Sequence, residues 1–297
     1  MILILGKNGY VSSRFQDFFK YKKIDFYVQS LKDLYSPYLL KDVIEKVKPR
    51  FVINTIGYTG KPNVDSCEDY KEDCLYSNVI LAEIISDECR KKNIPLGFVS
   101  SGCIYNEDEI EWWRTYKESD YPNFSFYSKH YNNCSWYSGC KALGESLVRK
   151  SWDKTYIFRL RMPFNHINEE KNYLSKIFSY DKVWSCSNSL TNLDEFVRAV
   201  YQSMNAEAPY GTYNICNHGG ISAKEIHLLA KKYNIGKENY SYFENLEEFN
   251  SVIKTPRSNC VLNTNKIRNE GIYMSPVEES LEKTFSVWNQ KEKVIFW

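Results

Sequence analysis

The sequence predicts an α/β protein in which a doubly wound parallel sheet is followed by a smaller, mixed C-terminal lobe. Strand-like and helix-like segments alternate through the first half of the chain, with short connections between them. The first segment, MILIL at 1–5, is a continuous apolar run, which is typical of a strand buried on both faces. Gly6 and Gly9 follow it at the start of a helical pattern. These three observations favour a βαβ series with a parallel sheet.

The elements of the first half follow one another in a regular order. Strands are predicted where apolar residues run without interruption, and helices where apolar positions recur with the spacing of one helical face. The predicted strands are 1–5, 24–30, 51–57, 96–101 and 155–162. The predicted helices are about 11–21, 37–48, a long one within 65–92, and one around 137–150. Beyond Pro163 the elements become shorter and mixed, except for a helix predicted within 190–205 that returns to the sheet.

Composition and charge exclude several classes of protein. The chain has 297 residues, of which 43% are hydrophobic and 26% charged, as is ordinary for a soluble globular protein. Its 39 basic and 37 acidic residues leave a net charge of +2, which gives no global support for nucleic-acid binding. The opening apolar run is too short for a signal peptide or a membrane span. The nine cysteines form no CxxC pair, so we expect no metal site. Their odd number, without a secretion signal, predicts reduced thiols in a cytoplasmic protein.

The turn between the first strand and the first helix has the position of a dinucleotide-binding turn. Gly6 permits a tight turn, and Gly9 allows backbone N–H groups to approach a pyrophosphate at the helix N-terminus. An ordinary strand–turn–helix is the alternative, because Ser12 stands where a third glycine is usual. The residues assigned to cofactor binding in this turn are Gly6, Lys7, Asn8, Gly9, Tyr10 and Val11.

The end of the second strand indicates which dinucleotide is bound. NAD-binding folds usually place a carboxylate there to hold the ribose hydroxyls, and here the strand ends with Val28-Gln29-Ser30. Lys32 nearby and Lys7 in the turn supply positive charge that suits a 2′-phosphate. The sequence therefore favours NADPH. NADH is the alternative, since Asp33 could hold the ribose and both lysines could be ordinary surface residues.

A tyrosine and a lysine four residues apart indicate the chemistry. Tyr137 and Lys141 share one face of a predicted helix, and an ammonium group beside a phenol is expected to lower the pKa of the phenol. Tyr137 would then exchange a proton near neutral pH, as carbonyl reduction requires. In a chain with 24 tyrosines this spacing also arises by chance. Its weight comes from the glycine turn and from Ser101, which ends the strand at 96–101.

A glycine turn, a serine at a strand end and Tyr-x-x-x-Lys, in this order, resemble the extended short-chain dehydrogenase/reductase family. The resemblance implies that Ser101 hydrogen-bonds the substrate carbonyl, that Tyr137 transfers the proton and that Lys141 holds the nicotinamide ribose. Further stretches are similar to the bifunctional UDP-4-keto-6-deoxy-D-glucose 3,5-epimerase/4-reductases within it. These stretches are GYTGKPNVDSCE (57–68), SSGCIY (100–105), RLRMP (159–163), NYLSKI (172–177), NSLTNLDE (188–195) and TPRSN (255–259).

The closer resemblance implies a reaction, a base and an acid. The reaction is conversion of UDP-4-keto-6-deoxy-D-glucose to UDP-L-rhamnose with NADPH. Cys103 is implied as the base that removes a proton beside the keto group, and Lys176 as the partner acid. A buried structural thiol and a solvated helix lysine are the alternatives for these two residues. The resemblance also implies a homodimer, which helices around 70–90 and 137–150 would form.

Two further residues are candidates for binding the sugar nucleotide. Arg257 can hold diphosphate oxygens in a bidentate manner, with a surface ion pair as the alternative. Asn63 either positions the substrate or caps the helix that follows it. Two rival functions stay open: a dTDP-4-dehydrorhamnose reductase without epimerase activity, and a non-catalytic NADP-binding regulatory subunit.

The order of the elements predicts two units along the chain. Residues 1–162 with about 188–211 are expected to form the NADP-binding, Rossmann-like domain. Residues 163–187 with 212–297 are expected to form the substrate-binding lobe, packed over the carboxyl ends of the strands.

Overall fold

The centre of the protein is a parallel sheet with helices on both faces. The structure, a computed structural model, describes residues 1–30, 37–107, 114–128 and 134–290. The expected doubly wound α/β architecture is confirmed, because six strands pair in parallel and the strand order reverses beside the first strand. From edge to edge the strands are β10 (Gly211–Asn214), β6 (Thr155–Leu160), β4 (Leu96–Ser101), β3 (Phe51–Asn54), β1 (Ile2–Leu5) and β2 (Phe26–Gln29).

The apolar side chains of β1 pack into two hydrophobic cores, one on each face of the sheet. Ile2 and Ile4 point to one face of the sheet and Leu3 and Leu5 to the other, because successive strand residues alternate. On the first face lie α1 (Tyr10–Tyr21) and α8 (Leu193–Asn205). On the second lie α2 (Pro37–Val47), α5 (Leu81–Lys91) and α6 (Trp136–Ser151).

The long helix expected within 65–92 is divided into several pieces. These are α3 (Ser66–Asp69), α4 (Lys71–Leu75) and a π-helical turn (Tyr76–Ile80), which runs directly into α5. In the π turn, buried Asn78 donates from Nδ2 to the carbonyl oxygens of Tyr58 (2.9 Å) and Cys74 (3.0 Å). Gly144 of α6 packs against this turn, and a Cβ added to it would lie 2.0 Å from the Asn78 carbonyl oxygen. Apolar periodicity does not detect such a turn, because the buried face stays continuous through it.

A third, smaller core lies in the C-terminal part. It joins α7 (Tyr173–Ser179), α9 (Ala223–Lys231) and α12 (Val277–Ser286) around buried residues such as Phe164 and Leu190. None of the helices in the described ranges combines the length and the apolar character that crossing a membrane requires. The other short elements are β5 (Thr115–Tyr116), β7 (Pro163–Phe164), β8 (Lys182–Val183), β9 (Thr191–Asn192), β11 (Ser241–Tyr242), α10 (Leu246–Asn250), β12 (Val261–Leu262) and α11 (Asn265–Asn269).

The structure corrects one of the expected boundaries. The smaller lobe was expected to take up the chain again at 212, but β10 is the edge strand of the central sheet and pairs with β6. Thr212 and Asn214 make this strand look like a turn in the sequence. Asn214 instead uses its side-chain amide to bond the carbonyl oxygens of Tyr116 and Asn263, both at 3.0 Å. A polar edge strand of this kind lacks the apolar run by which the other strands are recognised.

Candidate active site

A cleft of about 1030 Å³ opens at the carboxyl ends of the central strands. On the sheet side it is lined by the glycine turn, by Thr55–Gly57 after β3 and by the ends of β4 and β6. On the other side it is lined by α7 and by the segment 256–259. The carboxyl edge of a parallel sheet at its switch point is where such folds bind their ligands. The cleft therefore has the place and size of a site for a cofactor and a substrate together.

The glycine turn fits a dinucleotide. Gly6 has φ +108°, and a Cβ on it would lie 2.8 Å from Thr55 Oγ1, so a side chain is excluded for two reasons. Gly9 is the N-cap of α1, where no side chain caps the helix and the first turn carries no acidic residue. The N-terminal N–H groups and the positive end of the helix dipole therefore meet the cleft with no acidic residue in the first turn of their own helix. Asn8, Tyr10 and Val11 line the cleft beside them.

Of the two lysines assigned to the 2′-phosphate, the structure describes only Lys7. Lys7 is exposed in the turn, and its backbone N–H donates to Gln29 at 3.1 Å, which brings the turn beside the end of β2. Its side chain is not among the groups that line the cleft. Lys32 and Asp33 lie outside the described residues. Within the described part, β2 and the residue after it carry no carboxylate, as the sequence indicates.

Ser101, Tyr137 and Lys141, the three residues that the sequence assigns to the carbonyl chemistry, all line the cleft. Ser101 is the last residue of β4, and its hydroxyl oxygen accepts a hydrogen bond from the Cys103 N–H at 3.2 Å. Tyr137 and Lys141 lie one turn apart near the start of α6. Lys141 is buried, and its Nζ donates to the Val99 carbonyl oxygen at 3.2 Å. A phenol, an ammonium group and a hydroxyl therefore line one cleft, and their roles at a carbonyl stay predictions.

The expected low pKa of Tyr137 is wrong for the protein by itself. Burial raises the pKa of Tyr137 well above the usual value, and a hydrogen bond with Ser101 only partly opposes this. Burial also lowers the pKa of Lys141. The sequence argument considered the distance between the two groups but could not include the loss of water around both of them. In this environment Tyr137 is protonated at neutral pH, which suits a proton donor.

Cys103 lies in the same cleft as Tyr137. It is the middle residue of a short 3₁₀ turn (Gly102–Ile104) that follows β4, and it is buried, with 7% of its surface exposed. Burial raises the pKa of its thiol. A hydrogen bond with Ser101 and then the charges of Arg161 and Lys141 lower the pKa against that effect. The net effect is a raised pKa, and Ser101, Arg161 and Lys141 are the groups that favour the ionised form of the thiol against burial.

Lys176 of α7 also lines the cleft, and a second lysine, Lys171, accompanies it. Lys176 Nζ donates to the Pro62 carbonyl oxygen at 3.3 Å, and burial and then the charge of Lys171 lower its pKa. Lys171 Nζ donates to the Gly60 carbonyl oxygen at 2.9 Å, and its pKa is also lowered, mainly by burial. Sequence reasoning missed Lys171, although it lies only one residue before the NYLSKI segment.

The two candidates for binding the sugar nucleotide are joined through Asp65. Arg257 lines the cleft, but its guanidinium donates to both carboxylate oxygens of Asp65, at 2.8 and 2.7 Å. Asn63 is not among the residues that line the cleft, and its Oδ1 accepts a hydrogen bond from the Asp65 N–H at 2.8 Å. Asn63 thus shapes the loop before α3. The substrate-binding roles of both residues stay predictions.

Arg161 is a buried cleft residue that sequence reasoning did not single out. It directly follows β6 and lines the cleft near Cys103. Its Nη2 donates to Asn188 Oδ1 at 2.6 Å and to the Ser258 carbonyl oxygen at 2.5 Å. The available signal was its place in the RLRMP segment, since a charged residue directly after a fully buried strand is unusual in a structural role alone.

A family model and two similar plant proteins agree on the family to which this chain is related. The family model described as RmlD substrate binding domain matches residues 1–289. A bifunctional dTDP-4-dehydrorhamnose 3,5-epimerase/dTDP-4-dehydrorhamnose reductase of Arabidopsis thaliana is 34% identical, over 98% of this chain and 94% of that protein. A trifunctional UDP-glucose 4,6-dehydratase/UDP-4-keto-6-deoxy-D-glucose 3,5-epimerase/UDP-4-keto-L-rhamnose-reductase of the same plant is 35% identical. That match covers 82% of this chain and 35% of the longer plant protein.

Solved structures show the same fold at lower identity. The L780 UDP-rhamnose synthase from Acanthamoeba polyphaga mimivirus superimposes with a TM-score of 0.86 at 23% identity, over 96% of this chain and 99% of that one. A dTDP-4-dehydrorhamnose reductase from Bacillus anthracis, in complex with NADP, gives 0.80 at 21% identity, over 96% and 98% of the two chains. With the family model spanning nearly the whole chain, this protein belongs to the RmlD substrate-binding-domain family and is an enzyme of that family.

Proposed function

We propose that the chain is an NADPH-dependent 3,5-epimerase/4-keto-reductase that converts UDP-4-keto-6-deoxy-D-glucose to UDP-L-rhamnose. One observation carries the proposal: Cys103 lines the same cleft as Ser101, Tyr137 and Lys141. A plain reductase needs only the last three. The names of the Arabidopsis relatives, which combine epimerase and reductase activities, support the same assignment.

NADPH, when bound, supplies the hydride for the keto carbon. The turn Gly6–Gly9 and the N-terminus of α1 would hold its pyrophosphate, because they present backbone N–H groups and no competing acid. Lys141 would hold the nicotinamide ribose from the bottom of the cleft. The end of β2 without a carboxylate favours the phosphorylated dinucleotide, and NADH is the alternative that a binding comparison would test.

Epimerisation is assigned to the thiol and an amine. A ketone at carbon 4 acidifies the protons on carbons 3 and 5, and the Cys103 thiolate takes one of them. The electron pair moves to the ketone oxygen, where Ser101 and Tyr137 donate hydrogen bonds to the developing negative charge. Lys176, whose pKa is lowered by burial, returns a proton to the opposite face of the same carbon. Cys103 then releases its proton to solvent water and Lys176 takes one up, which restores both groups, and the same exchange at the other carbon completes the inversion.

Reduction uses the same carbonyl. As hydride reaches carbon 4, the oxygen gains a full negative charge and takes the hydroxyl proton of Tyr137. The raised pKa of Tyr137 keeps that proton in place until the oxygen becomes basic. The phenolate that remains is stabilised by its hydrogen bond with Ser101, and we assign further stabilisation to the charge of Lys141, one helical turn away on α6.

The decisive experiment is a single incubation of the protein with UDP-4-keto-6-deoxy-D-glucose and NADPH in deuterated water, with the sugar product followed by NMR. We expect UDP-L-rhamnose that carries deuterium at carbons 3 and 5. A reduced sugar without deuterium at these carbons would identify a 4-reductase without epimerase activity. Unchanged NADPH with unchanged substrate would favour the non-catalytic NADP-binding subunit.

The nucleobase needs its own comparison, because the relatives are named for both dTDP and UDP sugars. We assign UDP, and a parallel incubation with the dTDP-linked keto sugar should give a lower kcat/KM. A higher value for the dTDP sugar would reverse this assignment.

We also propose a homodimer formed through α5 and α6, as the resemblance implies. Sedimentation analysis that shows a monomer at micromolar concentration would exclude this dimer.

A further inference from the structure

We propose that Arg161 is a positioning residue for Cys103, whose permanent positive charge favours the thiolate that acts as the base. This inference rests on the proposed epimerase function and names a further residue of the same site. It gives a role to a buried cation that the reduction chemistry leaves unused.

The sheet brings the two residues together. β4 and β6 are parallel neighbours, and Ser101 pairs with Leu160 at their carboxyl ends. Gly102 and Arg161 therefore leave the sheet side by side, at a strand separation of about 4.8 Å. Cys103 follows one residue later, and both Cys103 and Arg161 line the cleft. The proximity is thus set by the register of two buried strands and not by a surface loop.

Arg161 is held rigidly but is not neutralised by its hydrogen-bond partners. It is 4% exposed, and its Nη2 is held by Asn188 Oδ1 and the Ser258 carbonyl oxygen, which are both neutral. Its Nε is buried and has no hydrogen-bond partner among the described residues. A cation fixed in this way imposes its field on the groups around it, because burial reduces screening by water. Among the described residues, Glu107 is a carboxyl group on which this charge acts, and burial raises the pKa of Glu107.

Several other titratable groups face Cys103. Lys141 of α6 also favours the thiolate, but burial lowers its own pKa and its Nζ donates to the Val99 carbonyl oxygen. An arginine, by contrast, stays charged at every pH at which the protein is folded. Arg161 is therefore the lasting source of positive charge at this thiol. Other titratable groups of the described residues also interact with Cys103, namely Tyr137 of α6, Cys67 of α3, Cys134 before α6 and Cys260 before β12.

The test measures the reactivity of the Cys103 thiol as a function of pH, without substrate or cofactor. The full chain is alkylated with iodoacetamide between pH 6 and pH 10, and the rate at Cys103 is followed by mass spectrometry of its peptide. In Arg161→Gln the alkylation midpoint should move to higher pH, with the rate at pH 8 falling about tenfold for a shift of one pKa unit. Arg161→Lys keeps the charge and should stay within about twofold of the unchanged protein.

Two internal comparisons separate the loss of the Arg161 charge from a general disturbance of the fold. Cys134 in the same molecules has a pKa raised to about 11 by burial, and its alkylation profile should not move in any variant. Arg257→Gln removes a guanidinium from the same cleft that is already paired with Asp65, and should leave the Cys103 profile unchanged. Circular dichroism checks that each variant is folded.

An unchanged Cys103 profile in folded Arg161→Gln would overturn the proposal. If that variant does not fold, Arg161→Lys decides, because a tenfold slower reaction with the charge retained would show that only the shape of the guanidinium matters. The outcome is separate from that of the epimerase proposal. A charge effect on Cys103 without deuterium in the sugar would reject the epimerase and leave the electrostatic link intact.

Discussion

Glu145 and Arg159 form a doubly hydrogen-bonded ion pair in the protein interior, with Nη2–Oε1 at 2.5 Å and Nε–Oε2 at 3.0 Å. The pair joins α6 to β6, and Glu145 also accepts a hydrogen bond from the Ser100 hydroxyl at 2.9 Å. Since Ser100 precedes Ser101 on β4 and Tyr137 lies on α6, the pair fixes the helix and the strand that carry the two proposed oxygen donors.

Replacing Glu145 with Gln should destabilise the fold strongly. The change leaves the buried guanidinium of Arg159 without a countercharge, which typically costs about 3 kcal/mol or more of unfolding free energy. Urea unfolding followed by circular dichroism measures it. Glu279→Gln is the matched control, because its pair with Lys283 is exposed and should contribute less than about 0.5 kcal/mol. Equal losses in the two variants would contradict the structural role of the buried pair.

Replacing Cys103 with Ser should remove epimerisation and leave cofactor binding intact. A serine hydroxyl cannot act as a base near neutral pH, whereas a thiol with positive neighbours can. We expect deuterium incorporation at carbons 3 and 5 to fall by about 100-fold or more, in line with the loss of a general base. NADPH affinity, followed by fluorescence, should change less than twofold. Normal rhamnose formation by this variant would show that another base is used.

Replacing Tyr137 with Phe should stop reduction and only weaken exchange. The proton given to the carbon-4 oxygen is lost, so NADPH oxidation should slow by about 100-fold or more. Enolate formation still has the Ser101 hydroxyl, and deuterium exchange into the keto sugar should therefore continue at a reduced rate. The two rates are read from NADPH absorbance and from NMR of the unreduced sugar. Full NADPH turnover would mean that the proton comes from elsewhere.

The two cleft lysines form a natural pair for comparison. Lys176→Met removes the assigned partner acid, and deuterium should then fail to appear at one or both inverted carbons. Lys171→Met removes a neighbour of similar burial that bonds the Gly60 carbonyl oxygen. It should retain inversion, with a change mainly in KM. The opposite result, with inversion lost only in Lys171→Met, would transfer the acid role to Lys171.

Gly6→Ala should weaken NADPH binding because two separate effects act on the turn. The residue has φ +108°, and the added Cβ would lie 2.8 Å from Thr55 Oγ1. Gly271→Ala is the matched control, since it also has positive φ (+73°) but meets no atom within 4 Å. Backbone strain alone costs about 1 kcal/mol. Calorimetric titration should show a lost NADPH affinity only for Gly6→Ala, and equal affinities in the two variants would remove the steric argument.

Much of the architecture is predictable because it depends on local pattern. A strand buried on both faces must be apolar throughout, so β1, β3 and β4 are visible as continuous runs. The glycine turn is visible because it must adopt a backbone conformation that other residues avoid. The break of the long helix at the π turn and the polar edge strand β10 escape this reasoning, since neither interrupts or produces an apolar period.

The pKa of Tyr137 and the ion pair of Arg257 are features of the site that the sequence pattern does not predict. Spacing correctly placed Tyr137 and Lys141 one helical turn apart, but the expected fall in the pKa of Tyr137 was wrong because burial dominates. Arg257 was predictable as a cleft residue, but its bidentate contact with Asp65 joins positions almost 200 residues apart in the chain. Such contacts depend on how the loops fold back over the sheet, and local periodicity in the sequence does not predict this arrangement.

The sequence by itself determined five strands of the sheet (β1, β2, β3, β4 and β6), the glycine turn and the family of the chain, because each of these depends on residues that are close together in the chain or on stretches of recognisable sequence. Only the tertiary structure decided that Cys103 and Arg161 both line the cleft, that Lys171 accompanies Lys176, and that burial raises the pKa of Tyr137. The physical reason is that strand register and burial set both the distances between remote side chains and the cost of their charges, and these quantities arise only when the chain has packed.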